Sequence, residues 1–387
     1  MTLPNAPLLP PDVLADLTAL RHALHRVPEL SGRESATAAT IAEALRALSP
    51  DRLITGLGGH GVAAQFGCGE PSVMLRAELD ALPITETGTP DWRSVTPGKG
   101  HLCGHDGHMA MLMGAAHHFA ANRPAQGRVV VLFQPAEETG AGAVAVLADP
   151  DFAALACDWA FAIHNMPGIA QGHAAVRAAV MNCASRGLRL RLEGRTAHAS
   201  DPASGVSPAP ALAALIPGLA ALSQDMPRPA PGFRLVTITH ARLGEAAFGI
   251  APGEAELWAT LRSYHDDDMT ALADQALALA QDQAARHGLR LTADWHDIFT
   301  HCENDAQAAA IMADAARTSG LSVTPGDLPM RASEDFGRFA QVSKTAMLLL
   351  GAGGGPALHN PDYDFPDALI EPGASILIRA ASHALTT

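Results

Sequence analysis

Four short runs of the chain, "SVMLRAEL", "RVVVLFQ", "WAFAIHN" and "TAMLLLG", are apolar almost throughout rather than at every second residue. A strand of that kind hides both of its faces, and the stretches between these runs read as helices, "MAMLMGAAHHFA" and "AGAVAVLA" among them. Strands buried on both sides and separated by helices specify an α/β sheet with helices packed on each face. In such sheets, chemistry gathers where strands give out into loops.

The pattern changes near Ser185. "RGLRLRLEG" alternates apolar and polar residues, as a strand with one wet face does. It is followed by a helix "SPAPALAALIPGLAALSQ", strands "FRLVTITHARL" and "AELWATLRSY", a helix "DMTALADQALALAQDQAARHG" and a strand "LRLTADWHDI". That order is β-α-β-β-α-β, a ferredoxin-like unit. The expected organisation is an α/β domain of residues 1–183 and 298–387, interrupted by an α+β insertion of residues 184–297. At the N-terminal end, "ADLTALRHALHRVPEL" is an amphipathic helix that stops before Pro28, with His22 and His25 expected on its surface. "SGRESATAATIAEALRAL" reads as a second helix, in which Ser31 and Glu34 form a capping-box pattern.

Composition narrows the function classes. A net charge of −14 disfavours a nucleic-acid partner. No apolar run approaches the ~18–20 residues that span a bilayer, so no membrane association is expected. The first residues, "MTLPNAPLLPPDVLADLTAL", show neither a basic leader nor a cleavage site, and a cytoplasmic location is the expectation. The cysteines, Cys68, Cys103, Cys157, Cys183 and Cys302, are odd in number and form no CxxC pair, which fits a reducing compartment. Aromatics are only 4 %, so the core is built from Ala, Leu, Val, Ile and Met. Most of the thiols belong to that core, and Cys103 is set apart by its neighbours.

Those neighbours are "HLCGHDGHMAML", with Cys103, His105, Asp106 and His108 in a few residues. Glu78 and Asp80, the pair Glu137 and Glu138, His164 and His359 also fall just where strands end. Cys103 and His105 are two apart and project to the same side of an extended segment. A thiolate with imidazoles suits zinc, manganese, nickel or cobalt better than calcium or magnesium. Adjacent carboxylates cannot face one ion in the same way, so one of Glu137 and Glu138 ligates while the other acts as general base. A bound metal lowers the pKa of its water to about 7. Together these residues favour metal-assisted hydrolysis over a merely polar turn.

"LHRVPELSGRES", "LRAELDALPI", "HLCGHDGHMAML", "VLFQPAEETGAGA", "FAIHNMPG", "GRTAHAS", "ASEDF" and "LHNPDYDFPD" occur in this order. In these segments the chain resembles the M20 metallopeptidase family, in the amidohydrolase branch of hippurate hydrolases, N-acyl-amino-acid amidohydrolases and auxin-conjugate hydrolases. The likeness runs from about residue 20 to about residue 370, and "CGHDGH" and "FQPAEE" are its most specific motifs. It implies a zinc-exopeptidase-like catalytic domain, a mixed sheet flanked by helices, with an inserted α+β ferredoxin-like lid and dimerisation domain. It further implies two divalent ions, of Mn, Zn, Ni or Co, on Cys103, His105, Glu138, His164 and His359, with Cys103 bridging. Glu137 matches the general base that takes a proton from a metal-bridging water and passes one to the departing amine. His198 matches a lid histidine that steadies the oxyanion, often from the other protomer of a homodimer, and Arg262 matches a lid arginine for the substrate carboxylate.

The implied substrate is an N-acyl amino acid or similar small conjugate. A dipeptidase or carboxypeptidase of the same family is the nearer alternative, and a non-catalytic metal or small-ligand binding protein the more distant one. Two positions depart from the family pattern: Glu78 stands where an Asp is usual, and Gly249 where an Asn is usual. Asp106 and His108 are expected to support the ligands or begin the helix, and Ser333 to Phe336 ("SEDF") to cap one. His117 and His118 are expected to face solvent.

Overall fold

The computed structural model of the chain describes residues 7–228 and 230–387. They form two compact units. The first runs to Met181 and resumes over Glu303–Gly326 and Asp335–Thr387, and the second comprises Asn182–Cys302 and Asp327–Glu334. The 327–334 segment joins the second unit because Met330 bridges Asn182, and the carbonyls of Met330 and Ala332 both accept the Cys183 N–H.

The first unit is built on an eight-stranded mixed sheet. Its strands lie in the order Arg52–Leu57, Gly61–Cys68, Gly127–Gln134, Ser72–Glu78, Trp159–Pro167, Lys344–Gly353, His173–Ala175 and Ser322–Thr324. The four in the middle are mutually parallel: Ser72–Glu78 runs with both Gly127–Gln134 and Trp159–Pro167, and Lys344–Gly353 runs with Trp159–Pro167. These are the four apolar runs of the sequence. Every residue of Ser72–Glu78 is buried, as a strand between two parallel neighbours and under helices must be. The core joins Val73, Leu75, Val129, Val131, Phe161 and Leu348 of these strands to helices Pro11–Arg26, Ser35–Ala47, His105–Ala121, Ala306–Thr318 and Ile370–Ala384. Among the described residues, no helix is long and apolar enough to cross a membrane.

The second unit holds a four-stranded antiparallel sheet ordered Arg234–Leu243, Glu254–Ser263, Ala184–Glu193 and Arg290–Phe299. Alternate residues Leu188, Leu190, Leu192, Leu257, Ala259 and Leu261 pack with Leu212, Leu215, Leu219, Met269, Leu272 and Ala276 of helices Ala209–Ala220 and Asp266–Arg286. Chain order and sheet order together are those of a ferredoxin-like unit.

Local expectations change in four places. The second N-terminal helix begins at Ser35, not after Ser31. Ser31 Oγ donates instead to Asp80 Oδ2 at 2.7 Å, and the Glu34 carboxylate accepts the Gly32 and Ala136 N–H groups at 2.8 Å each. Ser31 is spent on Asp80, and Glu34 on Ala136 and the turn at Gly32, so neither is left for a capping box. His25 is fully buried rather than on the surface, and His22 stacks flat on Trp92 at 3.7 Å. His117 and His118 are half-buried. Asp335 opens a 3₁₀ turn, Asp335–Gln341, but is itself buried, accepting from Arg76, Gln134 and the Ala143 N–H, so "SEDF" is not a solvated cap.

Candidate metal centre

The parallel strands of the first unit end along one edge, and each delivers a polar group there. Ser72–Glu78 leads to Asp80, Gly127–Gln134 to Glu137 and Glu138, Trp159–Pro167 carries His164, and Lys344–Gly353 leads on to His359. The fifth contribution comes from the start of helix His105–Ala121. Its N-cap, Gly104, is left-handed at φ 89°, and a Cβ there would lie 2.4 Å from Asn165 Oδ1. Only glycine fits both demands, and the turn it makes sets Cys103 on one side and His105 on the other.

Among the groups of ligand atoms whose members all lie within 4.8 Å of one another are three that interlock: Cys103, His105 and His164; Cys103, Glu138 and His359; and His105, Glu137 and Glu138. Cys103 is common to the first two. Its Sγ lies 3.4 Å from His164 Nε2. His105 Nε2 lies 3.9 Å from Glu137 Oε2 and 3.8 Å from Glu138 Oε1, and His359 Nε2 lies 3.6 Å from Glu138 Oε2. All six residues lie in the first unit.

Two imidazoles are oriented in the same way. His105 Nδ1 donates to the Asp80 carbonyl at 2.8 Å, and His164 Nδ1 donates to the Asn165 carbonyl at 2.7 Å. With Nδ1 donating to a carbonyl, each turns Nε2 toward the cluster, the arrangement usual for metal-bound histidine. His105 Nε2 is buried and has no hydrogen-bond partner among the described residues. A buried ring nitrogen left without a partner is costly unless something occupies it.

The acids and the burial pull the titrations in opposite directions. Burial opposes protonation of His105, but the nearby carboxylates of Asp80, Glu78 and Glu138 outweigh it and push His105 up to about 10. Burial, with the charge of His108, holds His164 down to about 3. Burial and the charges of Glu138 and Glu137 push the Cys103 thiol well above its ordinary value. A thiol beside two carboxylates and two imidazoles is a donor set that divalent cations neutralise.

Glu78, the departure from the family pattern, is buried and reaches His108 Nδ1 at 2.6 Å and the Arg76 guanidinium. His108 Nε2 faces Asn165, and its ring stands edge-on to His164 with centroids 4.7 Å apart. Both His108 nitrogens are therefore engaged, and the residue braces His164 from behind. Asp80 is the role the sequence left unassigned. Its Oδ2 accepts the Glu138 N–H at 2.9 Å while its own carbonyl takes His105 Nδ1. Its position at a strand end was the only available signal. His101 is also buried, with neither ring nitrogen hydrogen-bonded among the described residues, and burial keeps it neutral by lowering it to about 3.

His198 and Arg262 belong to the second unit and are not part of this cluster. His198 sits on the short strand Ala197–His198, paired with Ile250–Ala251, and is exposed. Its Nδ1 accepts the Ser200 N–H at 3.1 Å, which leaves the ring proton on Nε2. Arg262 is largely buried, and Nη1 donates to the Arg331 carbonyl and to Ser333 Oγ, each at 2.8 Å. Burial lowers its pKa, and no carboxylate pairs with it among the described residues. Gly249 accepts the Ala199 N–H, and a Cβ there would meet nothing within 4 Å.

The family profile described as Peptidase family M20/M25/M40 matches residues 74–383. An N-acetyl-L-cysteine deacetylase of Bacillus subtilis is 29 % identical over 95 % of this chain and 88 % of its own length. The hippurate hydrolase of Campylobacter jejuni is 27 % identical over 96 % and 97 %. Among solved structures, a dinuclear metal-binding M20 peptidase of Bacillus subtilis superposes with a TM-score of 0.80 at 24 % identity, covering 97 % of this chain and 99 % of that one. The chain belongs to peptidase family M20/M25/M40, and within it to the amidohydrolase branch, as a metal-dependent amidohydrolase.

Proposed function

We propose that the protein is a binuclear amidohydrolase that cleaves the amide bond of N-acyl amino acids or similar small conjugates. The observation that carries this reading is the sharing of Cys103 between two groups of ligand atoms, one with His105 and His164, the other with Glu138 and His359. Five donors of this kind suit two divalent ions of the Mn, Zn, Ni or Co type. When bound, the ions supply Lewis acidity that polarises the substrate carbonyl and acidifies water. The reading also draws on the relatives, whose names describe removal of an acyl group from acetylcysteine and from hippurate, and on the Bacillus structure, described as dinuclear.

Glu137 is the carboxylate left over once Glu138 ligates. It takes a proton from the attacking water and delivers it to the amide nitrogen as the C–N bond breaks, so that a free amine and a carboxylic acid leave. His198, protonated on Nε2, donates to the oxyanion as it develops, and a second copy of the chain supplies it in a homodimer. Arg262 offers its guanidinium to the substrate carboxylate.

The test is release of free amine from a panel of N-acyl amino acids and free-amine dipeptides, with Mn²⁺, Zn²⁺, Ni²⁺ and Co²⁺ supplied separately. Turnover confined to N-acyl substrates is the expected result. No turnover of any N-acyl substrate by protein that carries bound metal overturns the reading, and turnover of dipeptides alone replaces it with a peptidase.

A further inference from the structure

The motif "LRHALHRVPEL" has no part in the reaction proposed above, yet the structure buries Arg21 and His25 completely. Arg21 is surrounded by carboxylates. Its Nε donates to Asp106 Oδ2 at 2.7 Å, Nη1 to Asp367 Oδ1 at 3.3 Å, and Nη2 to Asp364. The guanidinium also lies 5.6 Å from the Trp92 ring centre and 5.9 Å from that of Phe365.

Those carboxylates come from two segments. Asp106 directly follows His105 in helix His105–Ala121, whereas Asp364 lies on the loop that carries His359 and Asp367 opens the 3₁₀ turn Asp367–Leu369 that ends it. One guanidinium thus joins two of the four pieces of chain that bring ligands to the centre, the Cys103–His105 segment and the His359 segment. Trp92 Nε1 reaches Asp364 at 3.2 Å and His22 reaches Asp367 at 2.8 Å, but Arg21 is the cation common to all three acids. The His359 loop needs such a tie. His359 is a non-glycine residue at φ 66°, and its side chain is half exposed. Its backbone anchors are few: the His359 N–H on the Leu102 carbonyl at 2.8 Å and the Thr87 N–H on the Pro361 carbonyl at 2.7 Å.

Without the guanidinium, the buried Asp106 carboxylate would face Asp364 and Asp367, which are only partly exposed, and like charges so placed repel. Asp106 is fixed in a helix packed in the core, and Tyr363 and Phe365 are buried, so the half-exposed His359 end of the loop is the part that gives.

We infer that Arg21 is a positioning residue for the metal centre, setting the distance between His359 and the Cys103–His105 segment so that one thiolate can serve two ions. This rests on the binuclear reading. An ion on Cys103, Glu138 and His359 would depend on the clamp, and one on Cys103, His105 and His164 would not.

The test is titration of the metal-free full-length protein with Co²⁺, followed by visible absorption and calorimetry. The wild type is expected to take up two equivalents. Arg21→Met is expected to keep the first within a few-fold and to weaken the second by about 10- to 100-fold, as loss of outer support for a ligand does. Arg21→Lys, which keeps the charge but not the fork, falls between. The double variant Asp364→Asn, Asp367→Asn removes only the loop's half of the clamp and is expected to repeat the selective loss, so it decides the matter if Arg21→Met does not fold. Two equivalents at wild-type affinity and spectrum in both variants, or equal weakening of both ions, overturns the inference alone. Fewer than two equivalents in the wild type overturns the binuclear reading first.

Discussion

Asp80 and Glu138 are joined by a hydrogen bond from the Glu138 N–H to Asp80 Oδ2 at 2.9 Å, while the Asp80 carbonyl holds His105 Nδ1 at 2.8 Å. One residue therefore aims two others, through its side chain and its backbone separately. Ser31 Oγ donates to the same Oδ2 and locks that carboxylate in place. Asp80→Ala keeps the backbone contact to His105 but removes the acceptor that the Glu138 N–H and Ser31 Oγ both use. It is expected to lower metal affinity by about 10- to 100-fold, measured by competition with a chromophoric chelator. Unchanged affinity in a folded variant would remove Asp80 from the centre.

The adjacent acids give a sharper contrast. Glu138 lies 3.6 Å from His359 Nε2 and shares a ligand group with Cys103, while Glu137 shares none with Cys103 or His359. Glu137→Gln is therefore expected to retain metal and to lose about 10²- to 10⁴-fold in kcat, the usual worth of a positioned general base. Glu138→Gln is expected to lose metal. Metal content by elemental analysis, read beside kcat, separates the two. The same pattern in both variants would mean the division of labour is wrong.

The fold class was legible because strands buried on both faces leave a one-dimensional signature, and runs such as "VMLRAE" admit little else. The ligand-type residues were legible because each follows such a run, and the sheet then brings strand ends to one edge. Burial of Arg21 and His25 was not legible. Helical periodicity marks a charged face as outward, and the acids that reverse this, Asp106, Asp364 and Asp367, lie far along the chain. Ser31 and Glu34 misled for the same reason: a local capping pattern was outbid by Asp80 and by the Ala136 N–H. The hairpin of Arg52–Leu57 and Gly61–Cys68 carries several glycines and no clean alternation, so its pairing shows only in the structure.

Gly107, inside the "CGHDGH" motif, is explained by packing rather than chemistry. A Cβ there would come within 2.4 Å of Phe365 ring atoms, and Phe365 is itself buried. Alanine gains up to about 1 kcal/mol over glycine in helix propensity. Overpacking a rigid ring costs about 1–3 kcal/mol, so the clash outweighs the gain. Gly107→Ala is expected to lower the midpoint of denaturant unfolding, and an unchanged or raised midpoint would show that the ring can move aside.

His25 makes stability depend on pH. The groups that face it are Asp106, with Oδ2 2.9 Å from Nδ1, Glu86, with Oε1 3.2 Å from Nε2, the Arg21 guanidinium, and the His101 ring with its centroid 6.3 Å away. Burial opposes protonation and so does Arg21, but Asp106 and Glu86 outweigh both and push His25 up to about 9. An unfolded histidine titrates near 6.5. A folded pKa above the unfolded one means that the charged ring stabilises the fold fully below about pH 6.5, and that this contribution disappears as the pH rises through about 9. The size of the shift corresponds to about 3 kcal/mol. His25→Gln cannot take up the proton, so the stability difference between wild type and variant is expected to be large at pH 6 and small at pH 9.5. Denaturant unfolding of both proteins at the two pH values measures it. A difference that stays constant, or grows toward high pH, would mean that the ring is neutral in the folded protein and that Asp106 is answered by Arg21 alone.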